Sequence, residues 1–119
     1  MEQPMVYLND ILESIEKIEN YLEGLRVTDF ENNSSIQDAV MRRLEIIGEA
    51  VKHLPEEIKN KYPNIPWKDI AGMRDILIHE YAGVQVERVW RTAKDDLSTL
   101  KQVILELSAH QTKNKKKPH

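Results

Sequence analysis

Apolar residues recur at intervals of three and four over most of the chain. The first run predicts an amphipathic helix over residues 5–23, because its apolar positions share one face of an α-helix. Gly24 follows, where a glycine commonly ends a helix. The apolar positions are Leu8, Ile11, Leu12, Ile15, Ile18, Leu22 and Leu25.

A second apolar stripe follows two candidate N-terminal caps, Thr28 with Glu31 and Ser35 with Asp38. It predicts a second helix that continues up to Pro55. The apolar positions of this stripe are Val40, Leu44, Ile47, Val51 and Leu54.

Prolines divide the next part of the chain. PEEIKNKYPNIP predicts a short helical connector, since its first proline suits an initial helical turn and Pro63 and Pro66 then end it.

Pro66 opens a third predicted helix, PWKDIAGMRDILIHE. Gly83 separates this from a long fourth helix, predicted to continue to about Ala109. The fourth helix has apolar residues at Val86, Val89, Trp90, Ala93, Leu97, Leu100, Ile104 and Leu107. With no strand pattern and no repeat, the chain is predicted to be an all-α helical bundle.

The composition is that of a folded, soluble protein. The chain has 119 residues, 40 % of them hydrophobic, and only 4 glycines, which is enough for one domain with a core. It has no cysteine, so a reducing, cytoplasmic location is expected. No apolar run approaches the ~20 residues of a membrane span, and the start MEQPMVYLND lacks the features of a signal peptide.

Charge is distributed unevenly. The chain has 17 Lys and Arg against 20 Asp and Glu, and four of the lysines lie in the last seven residues, KNKKKPH. Residues 1–112, predicted to be a single helical domain, therefore carry 13 basic and 20 acidic residues. Residues 113–119 are predicted to be a basic, disordered tail. Because nucleic-acid binders usually have basic faces, any chemistry on RNA must be local.

The stretch GMRDILIHEYAG places Arg74, His79 and Tyr81 in an otherwise apolar helix. At ~100° per residue, Arg74 and Tyr81 share a face, whereas His79 lies about 140° from Arg74. The three side chains can meet at one spot in three ways. The helix ends or distorts near Ile78, or the arginine side chain curls towards the imidazole, or two chains combine their motifs at an interface. A guanidinium beside an imidazole suits a phosphate ligand. On spacing alone, however, such residues on an amphipathic helix more often have a structural role.

Four other residues have structural and functional interpretations. A glycine inside a helix, here Gly48, is more often a close helix crossing than part of a cleft. Glu49 beside it is expected to be a solvated or cap-bonded acid. Trp67 and Trp90 could stack on a base, but their apolar helical positions favour the core or a dimer interface.

RDILIHEY resembles the pattern of the HEPN superfamily, and specifically of HepT-like toxins: Arg, four residues, His, one residue, Tyr, with a polar residue directly after the arginine. Three longer segments are similar to the family in the same order: DAVMRRLEIIGEAVKHLP, YPNIPWKDIAGMRDILIHEYAGV and VWRTAKDDLSTLK. The resemblance covers residues 36–105 well and the first helix only in general character. Gln85 departs from relatives that carry an aspartate there.

The resemblance implies an antiparallel bundle of four to five helices that dimerises and brings two motifs into one cleft. It also implies a metal-independent endoribonuclease acting on RNA. Arg74 would bind the scissile phosphate, and His79 would act as general acid or base for attack by the ribose 2′-hydroxyl. Asp75 would orient one of them. No cofactor is expected, and no metal: His53, His79 and His110 lack a metal-ligand spacing.

The resemblance further implies a partner, a minimal nucleotidyltransferase antitoxin that adenylylates Tyr81. An AMP group there would block the phosphate site by its bulk and charge. The structural alternative for Tyr81 is a ring packed over the fourth helix.

A second function stays open. The chain could be a non-catalytic helical subunit that binds substrate or nucleotide for a separate nucleotidyltransferase. Arg74 and His79 favour the toxin ribonuclease, whereas the acidic body slightly favours the subunit.

Overall fold

A computed structural model describes the backbone of residues 4–79 and 86–115, and the side chains of residues 5–77 and 86–109. Within these ranges the chain is helical with short connections and no strand, which confirms the predicted all-α fold. The helices are α1 (Pro4–Leu22), α2 (Val27–Glu31), α3 (Ser34–Lys52), α4 (Glu56–Lys61), α5 (Trp67–His79), α6 (Val86–Arg91) and α7 (Leu97–Lys115), with a π-helical segment (Thr92–Asp96) joining α6 to α7.

The four longest helices pack in the spatial order α5, α3, α1, α7, so that α3 lies between α5 and α1. Their apolar stripes meet in one continuous core, as the three-and-four spacing predicts. Phe30 of α2 is fully buried in this core, and its ring lies 5.4 Å from that of Trp90. No helix in the described ranges has both the length and the apolar character needed to cross a bilayer.

The helix ends are only partly as predicted. Gly24 has φ of +75°, in the left-handed region that favours glycine, and it follows the end of α1. The predicted caps are wrong, however. The side chain of Asn33 caps α3 by accepting a hydrogen bond from the Ile36 N–H at 3.1 Å. At α2, the carboxylate of Asp29 instead accepts from the Arg26 N–H at 2.9 Å.

The predicted fourth helix is interrupted. Its hydrogen bonding changes to the π pattern over Thr92–Asp96 and returns to the α pattern at Leu97. A π segment inserts an extra residue per turn, and apolar spacing does not encode this change because Val89, Ala93 and Leu97 are all buried. The helix also extends to Lys115, beyond the predicted end near Ala109.

Candidate functional site

The centre of the candidate site is the crossing of α3 and α5. A Cβ on Gly48 would lie 2.9 Å from the Arg74 Cβ and 3.0 Å from the Ile70 carbonyl oxygen. No larger residue fits there without moving α5, so the prediction that Gly48 marks a close helix crossing is confirmed. The crossing places the start of the Arg74 side chain directly against α3.

The Arg74 side chain is held between two carboxylates. Its Nε lies 2.6 Å from Oε2 of Glu49 on α3, and its Nη1 donates a hydrogen bond of 3.1 Å to Oδ1 of Asp75. The side chain is 32 % exposed, so the guanidinium stays accessible from solvent. Asp75 therefore contacts Arg74, one of the two residues that the family resemblance expects Asp75 to orient.

The sequence favoured a structural role for Glu49, as a solvated or cap-bonded acid, over a role in a cleft, but its carboxylate contacts Arg74. Its second oxygen, Oε1, lies 3.1 Å from Nε2 of His53, one turn later on α3. The His53 ring in turn stacks on Tyr7 of α1, with centroids 5.0 Å apart and planes 12° from parallel. The i, i+4 spacing of Glu49 and His53 is visible in the sequence. The contact with Arg74 is not, because it joins two helices.

An open pocket of about 300 Å³ lies beside Arg74. It has three carboxylates and two guanidiniums, so its formal charge is slightly negative, although Arg42 and Glu45 pair with each other at 3.4 Å. The pocket can admit one phosphate group to a guanidinium, but its walls do not attract a polyanion generally. The lining residues are Tyr7, Asp10, Arg42, Glu45, Ile46, Glu49, Ala50 and Arg74.

The other two predicted site residues are less fully described. The α-helical backbone is continuous from Arg74 to His79, so these residues leave the helix about 140° apart. The side chain of His79 and all of Tyr81 lie outside the described residues. Among the predicted site residues, the structure therefore describes only the contact between the side chains of Arg74 and Asp75.

Another open pocket, of about 440 Å³, lies on α5 where it faces α6 and the π segment. Burial of Asp96 raises the pKa of its carboxyl above the usual range, and the nearby charges of Asp95 and Asp69 raise it further.

Across the described residues, no three His, Asp or Glu side chains are arranged to hold a metal ion.

Comparison with known proteins identifies the family. Residues 11–107 match the family model described as "Ribonuclease HepT-like". The chain belongs to this family. The resemblance of RDILIHEY and its flanking segments to HepT-like proteins of the HEPN superfamily is thereby confirmed.

Several relatives resemble this HepT-like chain closely. "Gamma-glutamylcyclotransferase and putative RNase MJ0434" of Methanocaldococcus jannaschii is 51 % identical over 110 residues, which are 92 % of this chain and 50 % of that protein. "Putative RNase MJ1216" of the same organism is 50 % identical over 95 residues, covering 80 % of this chain and 78 % of the relative. "Probable ribonuclease HepT" of Thermococcus cleftensis is 48 % identical over 95 residues, covering 80 % and 86 %. The chain thus spans half of the first relative and about four fifths of the other two. No solved structure matches it.

Proposed function

We propose that this HepT-like chain is a cytoplasmic, metal-independent endoribonuclease and the toxin of a toxin-antitoxin pair. One observation carries the proposal: within a family described as ribonucleases, Arg74 lies accessible in a pocket at the closest approach of α3 and α5. The names of the relatives, which include "Putative RNase MJ1216", are in keeping with this activity.

The proposed reaction is transesterification within RNA. The ribose 2′-oxygen loses its proton to a general base and attacks the adjacent phosphorus, while the bond from phosphorus to the 5′-oxygen breaks. The leaving oxygen gains a proton from a general acid, and the products carry a 2′,3′-cyclic phosphate and a 5′-hydroxyl. Arg74 binds the phosphate and stabilises its developing charge, and His79 takes the acid or the base role.

We propose that the working form is a homodimer in which the motifs of two chains share one cleft. The support is the continuous helix between Arg74 and His79, which directs the two residues about 140° apart. A second copy would allow Arg74 of one protomer and His79 of the other to contact the same phosphate.

The activity is tested by incubating the purified chain with mixed cellular RNA, with and without EDTA. We expect cleavage in both conditions, with cyclic phosphate ends, and its loss in Arg74→Ala and His79→Ala. Loss of cleavage on adding EDTA would contradict metal independence. Full activity in either variant would remove that residue from the mechanism.

We further propose that a minimal nucleotidyltransferase neutralises the toxin by modifying Tyr81. The Tyr81 oxygen would lose its proton to a base of the nucleotidyltransferase and attack the α-phosphorus of ATP, forming a phosphodiester to AMP and releasing pyrophosphate. Tyr81 is seven residues after Arg74, so a continuing helix would set both on one face. The new negative charge would then pair with Arg74 and occupy the RNA phosphate site.

Mass spectrometry tests this regulation. After incubation with the nucleotidyltransferase, ATP and Mg²⁺, the intact chain should gain AMP, and peptide mapping should place it on Tyr81. Tyr81→Phe should keep ribonuclease activity and escape neutralisation. An adduct on Tyr62, or none at all, would contradict the role of Tyr81.

The acidic lining of the Arg74 pocket favours a second candidate, the non-catalytic subunit that binds substrate or nucleotide for a nucleotidyltransferase. Three carboxylates face two guanidiniums there, which disfavours general RNA affinity. Expressing the chain alone in cells distinguishes the candidates. Growth arrest that depends on Arg74 supports the toxin, and unaffected growth together with stimulation of the partner enzyme supports the subunit.

A further inference from the structure

Glu49 contacts Arg74 from a different helix, and its carboxylate lies between the side chains of Arg74 and His53. We infer that Glu49 is a positioning residue of the Arg74 centre: it holds the guanidinium at Nε so that the donors not engaged by Glu49 and Asp75 face a substrate phosphate. The inference rests on the proposed ribonuclease function, but the ordering of Arg74 by Glu49 can be measured without cleavage.

The geometry of the carboxylate supports this role. Oε2 is shielded from solvent, although 46 % of the Glu49 side chain is exposed. No aligned hydrogen bond reaches Oε2, but Arg74 Nε at 2.6 Å pairs with its charge. A shielded carboxylate oxygen needs a close cation. Glu49 and Arg74 therefore fix each other.

The other contacts of the carboxylate limit its movement. His53 lies 3.1 Å from Oε1 and stacks on Tyr7, which anchors the carboxylate towards α1. Gly48, directly before Glu49, holds α3 against the backbone of α5. The position of Glu49 relative to Arg74 is thus set by helix packing and not by one flexible side chain.

Asp75 cannot supply the same restraint. It neighbours Arg74 on α5, and its side chain is 56 % exposed. Its closest contact is with Nη1, whereas Glu49 approaches Nε. Two carboxylates on two sides fix the plane of a guanidinium, because its donors lie in one rigid fork. One carboxylate alone leaves the plane free to turn.

Glu45 offers a matched control. It lies one turn before Glu49 on α3 and lines the same pocket, but its salt bridge is with Arg42 at 3.4 Å. Glu45→Ala and Glu49→Ala each remove one negative charge from the pocket. Only the second variant removes a carboxylate that contacts Arg74.

The first measurement is the ¹H–¹⁵N NMR signal of the arginine Nε–H groups in the full chain, with Arg74 assigned from its absence in Arg74→Ala. We expect Glu49→Ala to shift the Arg74 signal and to speed its exchange with water, and Glu45→Ala to leave both unchanged. An unchanged Arg74 signal in Glu49→Ala would overturn the inference, whether or not the chain cleaves RNA.

The second measurement is RNA cleavage by the same variants. We expect Glu49→Ala to lower kcat about tenfold to a hundredfold, because the Arg74 guanidinium would no longer be held in place. The change in KM should be smaller. Glu49→Asp, which keeps the charge, should recover part of the loss, and Glu45→Ala should lower kcat far less than Glu49→Ala. Wild-type or higher kcat in Glu49→Ala would contradict positioning and indicate that Glu49 merely competes with substrate. Absence of cleavage by the wild type would refute the ribonuclease proposal, and the NMR signal would still decide the contact.

Discussion

Two sides of α5 use acidic residues in opposite ways. Towards α3, Glu49 meets Arg74 across the close crossing at Gly48, and the opposite charges lie 2.6 Å apart. Towards the π segment, Asp96 is partly buried near Asp95 and Asp69, and the pKa of its carboxyl is raised. At Asp96, burial first and the neighbouring carboxylates second favour the protonated form.

Acidic residues can thus contact a guanidinium without covering it. On the α3 side, Glu49 and Asp75 contact Arg74 and leave its side chain 32 % exposed. On the π-segment side, burial and the nearby charges of Asp95 and Asp69 both disfavour the ionised Asp96 carboxyl.

Arg74→Ala should lower RNA cleavage about a hundredfold to a thousandfold, because a preorganised donor to the reacting phosphate is lost. Arg42→Ala, in the same pocket, should keep most of the activity. Cleavage rates and circular dichroism of both variants provide the measurement. An equal loss of activity in both would mean that the pocket needs positive charge in general and not this guanidinium.

Leu77→Ala should destabilise the chain by about 2–5 kcal/mol, since a fully buried leucine leaves a cavity. Leu105→Ala should cost far less, because Leu105 is 43 % exposed. Urea unfolding of the two variants measures the difference. Equal losses would indicate that Leu105 is covered in solution, for instance by a second copy.

Gly48→Ala should destabilise the chain by about 1–3 kcal/mol, because a Cβ there would press on the α5 backbone. Gly72→Ala provides the matched test on α5, where a Cβ meets nothing within 4 Å. That change should stabilise by up to about 1 kcal/mol through helix propensity. If both variants are stabilised, the two helices do not approach as closely as the crossing requires.

Asp96→Asn should give the smallest effect, a stabilisation within about 0.5 kcal/mol at neutral pH. A raised pKa means that the folded state binds the proton more tightly than the unfolded state. The stabilising protonation is complete below the usual value of 3.8 and is lost as pH rises through the folded pKa. The gain from Asp96→Asn should therefore shrink towards pH 4. A gain that is constant with pH in thermal unfolding would rule out this explanation.

The sequence predicted the fold better than it predicted the site. Apolar spacing identified the helices because burial of one face dominates their stability. It could not reveal the π segment, whose flanking residues are buried as in an α-helix, or the cap at Asn33. Arg74 and Asp75 were predicted from the resemblance of their motif. The contact between Glu49 and Arg74 could not be predicted because it joins two helices, although Gly48 had already indicated a close crossing.

The central claim is that Arg74 and His79 form one ribonuclease centre although the helix directs them about 140° apart. Mixing the Arg74→Ala and His79→Ala variants, after unfolding and refolding them together, tests it most directly. If each centre combines Arg74 of one protomer with His79 of the other, random pairing should restore about one quarter of wild-type cleavage, because half of the dimers then hold one intact Arg74–His79 pair out of two. No recovery from a mixture that is folded and dimeric would contradict a shared centre.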